Sequence, residues 1–168
     1  MTNDSTRSTR RAWIAALTRT LAGAGAVALV AALRPDDAHA DTPATLVVYK
    51  DAGCDCCRDW VAHLRRNGLK VDAVDRTDMD ALKDSFGVPT SLRSCHTAIA
   101  GRYVIEGHVP AADIRRFLAH PPANVAGLAV PGMPSGSPGM EAPGRRADRY
   151  DVIAFSAGGR THVFATHG

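Results

Sequence analysis

The sequence predicts one α/β domain preceded by an export signal. Three observations support this fold class. Short apolar runs of strand length alternate with segments of helical periodicity. The 168 residues are enough for one domain. A composition of 45% hydrophobic and 22% charged residues is ordinary for a globular protein. The predicted element order is strand, helix, strand, helix, hairpin, helix, followed by a loop and a second hairpin.

Residues 1–40 have the organisation of a signal peptide. A basic segment ends near Arg19, an apolar run spans residues 21–33, and residues 38–40 give the small-x-small pattern that signal peptidase cleaves. The apolar run is shorter than the ~20 residues of a membrane span, although an N-terminal anchor is the alternative. Arg10 and Arg11 resemble a twin-arginine signal. We therefore expect a mature domain over residues 41–168, located in the periplasm, with no stable membrane span after cleavage.

The charge balance argues against nucleic acid as a partner. The first 40 residues hold five of the 20 Lys and Arg and three of the 17 Asp and Glu, so the rest of the chain is close to neutral. A nearly neutral body lacks the basic patch that binds DNA or RNA. With only 5% aromatic residues, it also offers little surface for stacking bases.

The first half of the domain begins with an apolar strand over residues 45–49, and residues 51–53 form a loop. A helix is predicted over residues 56–67, because Trp60, Val61 and Leu64 recur at helical spacing. A second strand follows from Leu69 to Ala73, and a short helix runs from Asp78 to Phe86.

The second half begins with a hairpin over residues 97–100 and 103–105, with Gly101 at its turn. A third helix starts after Pro110 and ends before residues 121–122. The resulting β-α-β-α-β-β-α order matches a thioredoxin-like core. In that fold the loop after the first strand brings side chains to the start of the first helix. A cis peptide bond before Pro89 is expected there.

Residues 123–149 are rich in Pro and Gly but repeat a Pro-Gly-Met motif, at Met133 and again at Met140. A flexible linker is one interpretation. However, a second hairpin is predicted over residues 150–156 and 161–165, and a terminal hairpin must pack on something. We therefore expect this Pro/Gly/Met loop to fold back over the core.

The main candidates for functional residues are the four cysteines of the chain. Cys54, Cys56 and Cys57 lie at the predicted start of the first helix, where the helix dipole favours thiolates. Cys95, followed by His96, is expected near the same loop. Thiolate, thioether and imidazole donors favour Cu(I) over Zn(II).

Other interpretations of these residues remain open. Four cysteines in an exported protein could form two structural disulfides. A closed zinc site is also compatible with the residue types. His108 is either a ligand or a satisfied core residue, and Met133 and Met140 are either ligands or filler. The remaining candidate histidines, His63, His162 and His167, are expected at the surface.

Four motifs together resemble the exported CopG-type copper-resistance family, many of whose members are known only as a domain of unknown function. The motifs occur in order and cover most of residues 45–165. They are Gly53-Cys54-Asp55-Cys56-Cys57 with Trp60, residues 88–98, Glu106-Gly107-His108-Val109-Pro110, and residues 127–141.

The resemblance implies a thioredoxin-like fold with a C-x-C-C copper site and a role in handling or oxidising Cu(I) in the periplasm. We expect copper, as Cu(I) or Cu(II), to be the bound metal, with periplasmic copper-handling proteins as partners. The expected metal ligands are Cys54, Cys56, Cys57, Cys95, His96, Met133 and Met140. Binding is expected rather than enzymatic turnover. The alternative function is a thiol–disulfide oxidoreductase in which Cys54 attacks and Cys57 resolves.

Overall fold

The computed structural model describes residues 45–168, so the signal peptide predicted over residues 1–40 lies outside the described residues. None of the helices in residues 45–168 has the length and apolar character needed to span a membrane. The described chain contains three α-helices and seven strands. In chain order they are β1 (Leu46–Lys50), α1 (Asp55–Arg66), β2 (Val71–Asp75), α2 (Met79–Ser85), β3 (His96–Ala100), β4 (Tyr103–Glu106), α3 (Ala111–Ala119), β5 (Gly127–Ala129), β6 (Tyr150–Phe155) and β7 (Thr161–His167).

All seven strands form one mixed sheet in the order β2-β1-β3-β4-β5-β6-β7. β1 pairs with β2 in parallel and with β3 antiparallel, and β3 and β4 form the predicted hairpin. The α/β class is therefore confirmed. The first four strands and three helices follow the β-α-β-α-β-β-α order that the sequence predicts, with boundaries within a few residues.

The first helix is held by an apolar face with one polar anchor. Trp60, Val61 and Leu64 are buried, and they pack in a cluster with Leu46 and Val48 of β1. Burial of each large apolar side chain contributes roughly 1.5–3 kcal/mol. The Trp60 indole N–H also donates a hydrogen bond of 2.9 Å to the Val109 carbonyl. This bond fixes α1 against the segment between β4 and α3.

The structure corrects the expectation of a continuous loop over residues 123–149, because residues 127–129 form strand β5. It pairs in parallel with β4 and antiparallel with β6, and so joins the C-terminal hairpin to the sheet. Gly127 is required here, since a Cβ at this position would lie 1.9 Å from the Val104 carbonyl oxygen. Residues 135–139 pack on the core as expected, since Ser135, Ser137 and Pro138 are buried and Gly139 lies against the backbone of α1, whereas residues 141–149 are exposed.

The expectation of a cis bond before Pro89 is wrong, because the described residues contain no cis peptide bond. Pro89 instead begins a short 3₁₀ turn over Thr90–Leu92, in which the Leu92 N–H donates to the Pro89 carbonyl at 2.9 Å. The ordinary trans geometry, which most X-Pro bonds adopt, is sufficient for this turn.

Of the three histidines expected at the surface, only His162 is exposed. His63 is half-buried, and its Nε2 accepts the N–H of Ala111 at 3.2 Å, at the start of α3. Burial lowers the pKa of His63, which favours the neutral form that can accept this bond. His167 bonds through Nε2 to the buried Asp113 carboxylate at 2.6 Å. These two side chains therefore tie other elements to α3.

Candidate metal centre

The four cysteines meet at the beginning of α1. Cys54 is the residue before the helix, Cys56 and Cys57 lie in its first turn, and Cys95 directly precedes β3. The Cys56 sulfur lies 3.6 Å from that of Cys54 and 3.8 Å from that of Cys95. All four sulfurs lie within 4.8 Å of one another. This is the convergence that the sequence predicts.

Two of these cysteines are covalently paired. Cys54 and Cys57 form a disulfide, whereas Cys56 and Cys95 are free thiols. The alternative of two structural disulfides therefore does not hold in this structure. The observed pair is the one that a dithiol oxidoreductase would use, so the structure shows the oxidised form of the centre.

A second group of donors shares Cys95. The Cys95 sulfur lies 3.1 Å from Nε2 of His108 and 3.3 Å from Nδ1 of His96. Within the part of the chain that the structure describes, these three residues and the four cysteines are the two groups with metal-binding geometry. His108 is thus placed in the centre, although the sequence left its role open.

The orientation of His108 is fixed by a backbone carbonyl. His108 Nδ1 lies 2.8 Å from the Pro138 carbonyl oxygen, which can only accept, so Nδ1 carries the proton. In the neutral ring Nε2 then has a free lone pair, and this atom faces Cys95. Burial lowers the pKa of His108 and keeps the ring neutral. A donor oriented in this way is typical of metal-bound histidine.

Cys95 rests as a protonated thiol in the absence of metal. Burial, followed by the neighbouring Cys56, raises the pKa of Cys95 to about 12. The thiol can donate its proton to the free lone pair of His108 Nε2, at 3.1 Å. A metal ion must displace this proton, because the thiolate is the form that binds metal.

His96 leaves a polar atom unsatisfied. It is fully buried, and its ring stacks against Trp60 at a centroid distance of 4.3 Å. Burial lowers its pKa well below the ordinary value, with His108 and Lys83 acting in the same direction. Within residues 45–168, its Nε2 is the one buried side-chain polar atom without a hydrogen-bond partner. The neutral rings of His96 and His108, and the unpartnered Nε2 of His96, fit a metal site better than an ordinary hydrophobic core.

Comparison with known proteins decides the family. The family model described as a protein of unknown function, DUF411, matches residues 92–140. Two solved structures described as copper resistance protein copG, form 2 and form 1, are each 46% identical to this chain, with TM-scores of 0.70. The match to form 2 covers 75% of this chain and 99% of the form 2 chain. The match to form 1 covers 74% of this chain and 98% of the form 1 chain. The chain belongs to the CopG copper-resistance protein family. No curated protein matches it.

The two methionines predicted as ligands in this CopG-family chain lie in the loop that faces Cys56. Met133 and Met140 line a cavity that also contains Cys56. Met133 is 54% exposed, and Met140 is half-buried. Their role as ligands remains a prediction.

A buried ion pair supports the segment that carries Cys95. Lys83 Nζ lies 2.6 Å from Glu106 Oε1, and both side chains are almost completely buried. Glu106 Oε1 also accepts the Ser94 N–H at 2.7 Å, and Oε2 accepts the Thr97 hydroxyl at 2.6 Å. Glu106 therefore holds the chain on both sides of Cys95. The sequence signal that was missed is a glutamate at the end of the apolar strand β4.

Replacing Lys83 with Met should destabilise the protein by about 3–5 kcal/mol, because it leaves the Glu106 carboxylate buried without its cation. Urea unfolding measures the change, with Lys70→Met on the surface as the control. The double variant Lys83→Met/Glu106→Leu should regain much of the loss. A Lys83→Met cost no larger than that of Lys70→Met would contradict this account.

Proposed function

We propose that this CopG-family protein binds Cu(I) through Cys54, Cys56, Cys57 and Cys95 once its disulfide is reduced. The observation that carries the proposal is the convergence of four sulfurs within 4.8 Å. Soft thiolates favour Cu(I) over harder cations. Zinc is the weaker candidate, although four sulfurs can also form a tetrahedral zinc site.

His96 supplements the sulfur donors, and we add His108 to the ligand set that the sequence suggests. Both rings approach the Cys95 sulfur, at 3.3 and 3.1 Å. Imidazole suits Cu(II) as well as Cu(I), so this side of the centre can accommodate the oxidised ion. The protein would then contribute to copper resistance by sequestering copper and by changing its oxidation state.

The location and partners are proposals that rest on the predicted signal peptide. A disulfide such as Cys54–Cys57 is typical of the oxidising periplasm. A copper-resistance protein in that compartment would exchange copper ions with other periplasmic copper-handling proteins.

The disulfide also favours a second function, thiol–disulfide exchange. Cys54 is half-buried at the start of α1, where an incoming thiolate can reach it, whereas Cys57 is completely buried. This arrangement fits an attacking and a resolving cysteine. The discriminating residue is Cys56, which copper binding needs and dithiol exchange does not.

Cys56→Ser should weaken Cu(I) binding by the reduced protein at least about tenfold, or ~1.4 kcal/mol, because it removes the sulfur between Cys54 and Cys95. Competition with a chromogenic Cu(I) chelator measures the affinity, and insulin reduction measures dithiol exchange in the same samples. Unchanged copper affinity with dithiol turnover that requires only Cys54 and Cys57 would favour the oxidoreductase. Failure of the reduced wild-type protein to take copper from the chelator would reject the copper proposal.

Copper oxidation would need an electron acceptor outside the protein. The Cys54–Cys57 disulfide is not that acceptor, because protein disulfides have reduction potentials of about −120 to −300 mV and Cu(II) oxidises thiols rather than the reverse. With dioxygen as the acceptor, two Cu(I) ions each give up one electron, and one O₂ takes both electrons and two protons to form H₂O₂. Exposing the Cu(I)-loaded, reduced protein to oxygen should therefore generate a Cu(II) electron paramagnetic resonance signal, and the absence of such a signal would reject copper oxidation by this protein.

A further inference from the structure

A cavity of about 380 Å³ opens to solvent beside Cys56. One wall is the first part of α1, and the other is the loop that carries the two Pro-Gly-Met motifs. Its lining includes Cys56, Met133, Met140, Asp59, Glu141 and Asp148. A free thiol and two thioethers therefore border the same solvent-open space.

We propose that this cavity, here called the thioether vestibule, is an entry site that captures Cu(I) and passes it to Cys56. The inference rests on the proposed copper-binding function and adds the route by which Cu(I) reaches the cysteines. Met133 and Met140 hold the ion transiently, and the thiolates hold it at equilibrium.

The wall that carries the methionines has a defined structure. A Cβ at Gly139 would lie 2.7 Å from the Cys56 carbonyl oxygen and 2.8 Å from the Trp60 nitrogen, so the loop lies directly on α1. The Ser135 N–H donates to the Asp148 carboxylate at 2.9 Å, and the Gly136 N–H donates to the Met140 carbonyl at 3.1 Å. These contacts keep the loop beside Cys56.

Met133 is exposed to solvent, so packing in the core does not explain why a large apolar residue occupies this position. It is one of the few large apolar side chains exposed in residues 45–168, at 54%. A thioether is a soft, neutral donor, so it binds Cu(I) without first losing a proton. Thiolates are the stronger ligands for Cu(I), and Cys56, which lines the same cavity, lies 3.6 Å from the Cys54 sulfur and 3.8 Å from the Cys95 sulfur. An ion held by the exposed Met133 therefore shares a cavity with the first of the clustered thiols.

The charge of the vestibule favours cations. Asp55 and Arg145 complete the charged groups of the lining, which then contains four carboxylates and one guanidinium. The domain as a whole is close to neutral, so this negative patch is local. A concave site with one sign of charge raises the local concentration of the opposite ion. The carboxylates thus attract copper, and the thioethers select a soft ion among the cations that arrive.

The test separates the rate of copper entry from the affinity of the centre. Met133→Leu/Met140→Leu keeps the approximate volume and apolar character of both side chains but removes the thioethers. Met79→Leu on α2, outside the vestibule lining, is the matched control. Cu(I) is supplied to the reduced protein as its acetonitrile complex in a stopped-flow experiment. Thiolate-to-copper charge-transfer absorbance follows binding, and chelator competition gives the affinity.

The double variant should bind copper several-fold more slowly than wild type, with the same final stoichiometry and affinity, and Met79→Leu should match wild type. Asp59→Asn should lower the rate further at low salt only, since screening weakens steering. An unchanged rate would overturn the proposal. A loss of affinity equal to the loss of rate would also overturn it, because the methionines would then be resident ligands. Failure of wild type itself to bind copper would instead reject the proposed function.

A second measurement detects the transient site directly. In the disulfide form of the Cys56→Ser variant, which removes the free thiol from the cavity, Ag(I) should shift the methyl resonances of Met133 and Met140 and leave that of Met79 unchanged. Equal shifts of all three methionines, or none, would overturn the vestibule as a site for soft cations.

Discussion

The pairing of β1 with β3 is the constraint on which the metal centre depends. Their antiparallel register places Lys50, the last residue of β1, opposite His96, the first residue of β3. The loop that follows β1 leads into α1, and Cys95 precedes β3, so these two segments must meet. The sheet therefore brings the cysteines of C-x-C-C and the distant Cys95 together.

The centre is also surrounded by polar groups whose burial has to be compensated. The Pro138 carbonyl orients His108, and the Glu106 carboxylate holds Ser94 and Thr97 on either side of Cys95. A buried charge without its partner is strongly destabilising, so the contacts that Glu106 makes with Ser94 and Thr97 depend on its ion pair with Lys83. The free thiols and neutral imidazoles stay in place, ready for an ion that the disulfide form can accept only after reduction.

Much of this could be predicted from the sequence, because hydrophobic periodicity and turn residues determine most of the elements. The crowding of Cys54, Cys56 and Cys57 at the start of a helix also follows directly from the residue order. Strand β5 could not be predicted, since a three-residue strand between Pro- and Gly-rich segments has no periodicity of its own. The position of His108 beside Cys95 depends on β3–β4 pairing, and the Lys83–Glu106 pair joins elements far apart in the chain. The export signal over residues 1–40 stays a prediction, because it lies outside the described residues.

X-ray absorption spectroscopy at the copper edge, on reduced protein loaded with Cu(I), tests the central claim most directly. The account predicts a first coordination shell dominated by sulfur, which loses sulfur when Cys95 is replaced by Ser. A shell of nitrogen and oxygen alone, or one that Cys95→Ser leaves unchanged, would contradict it.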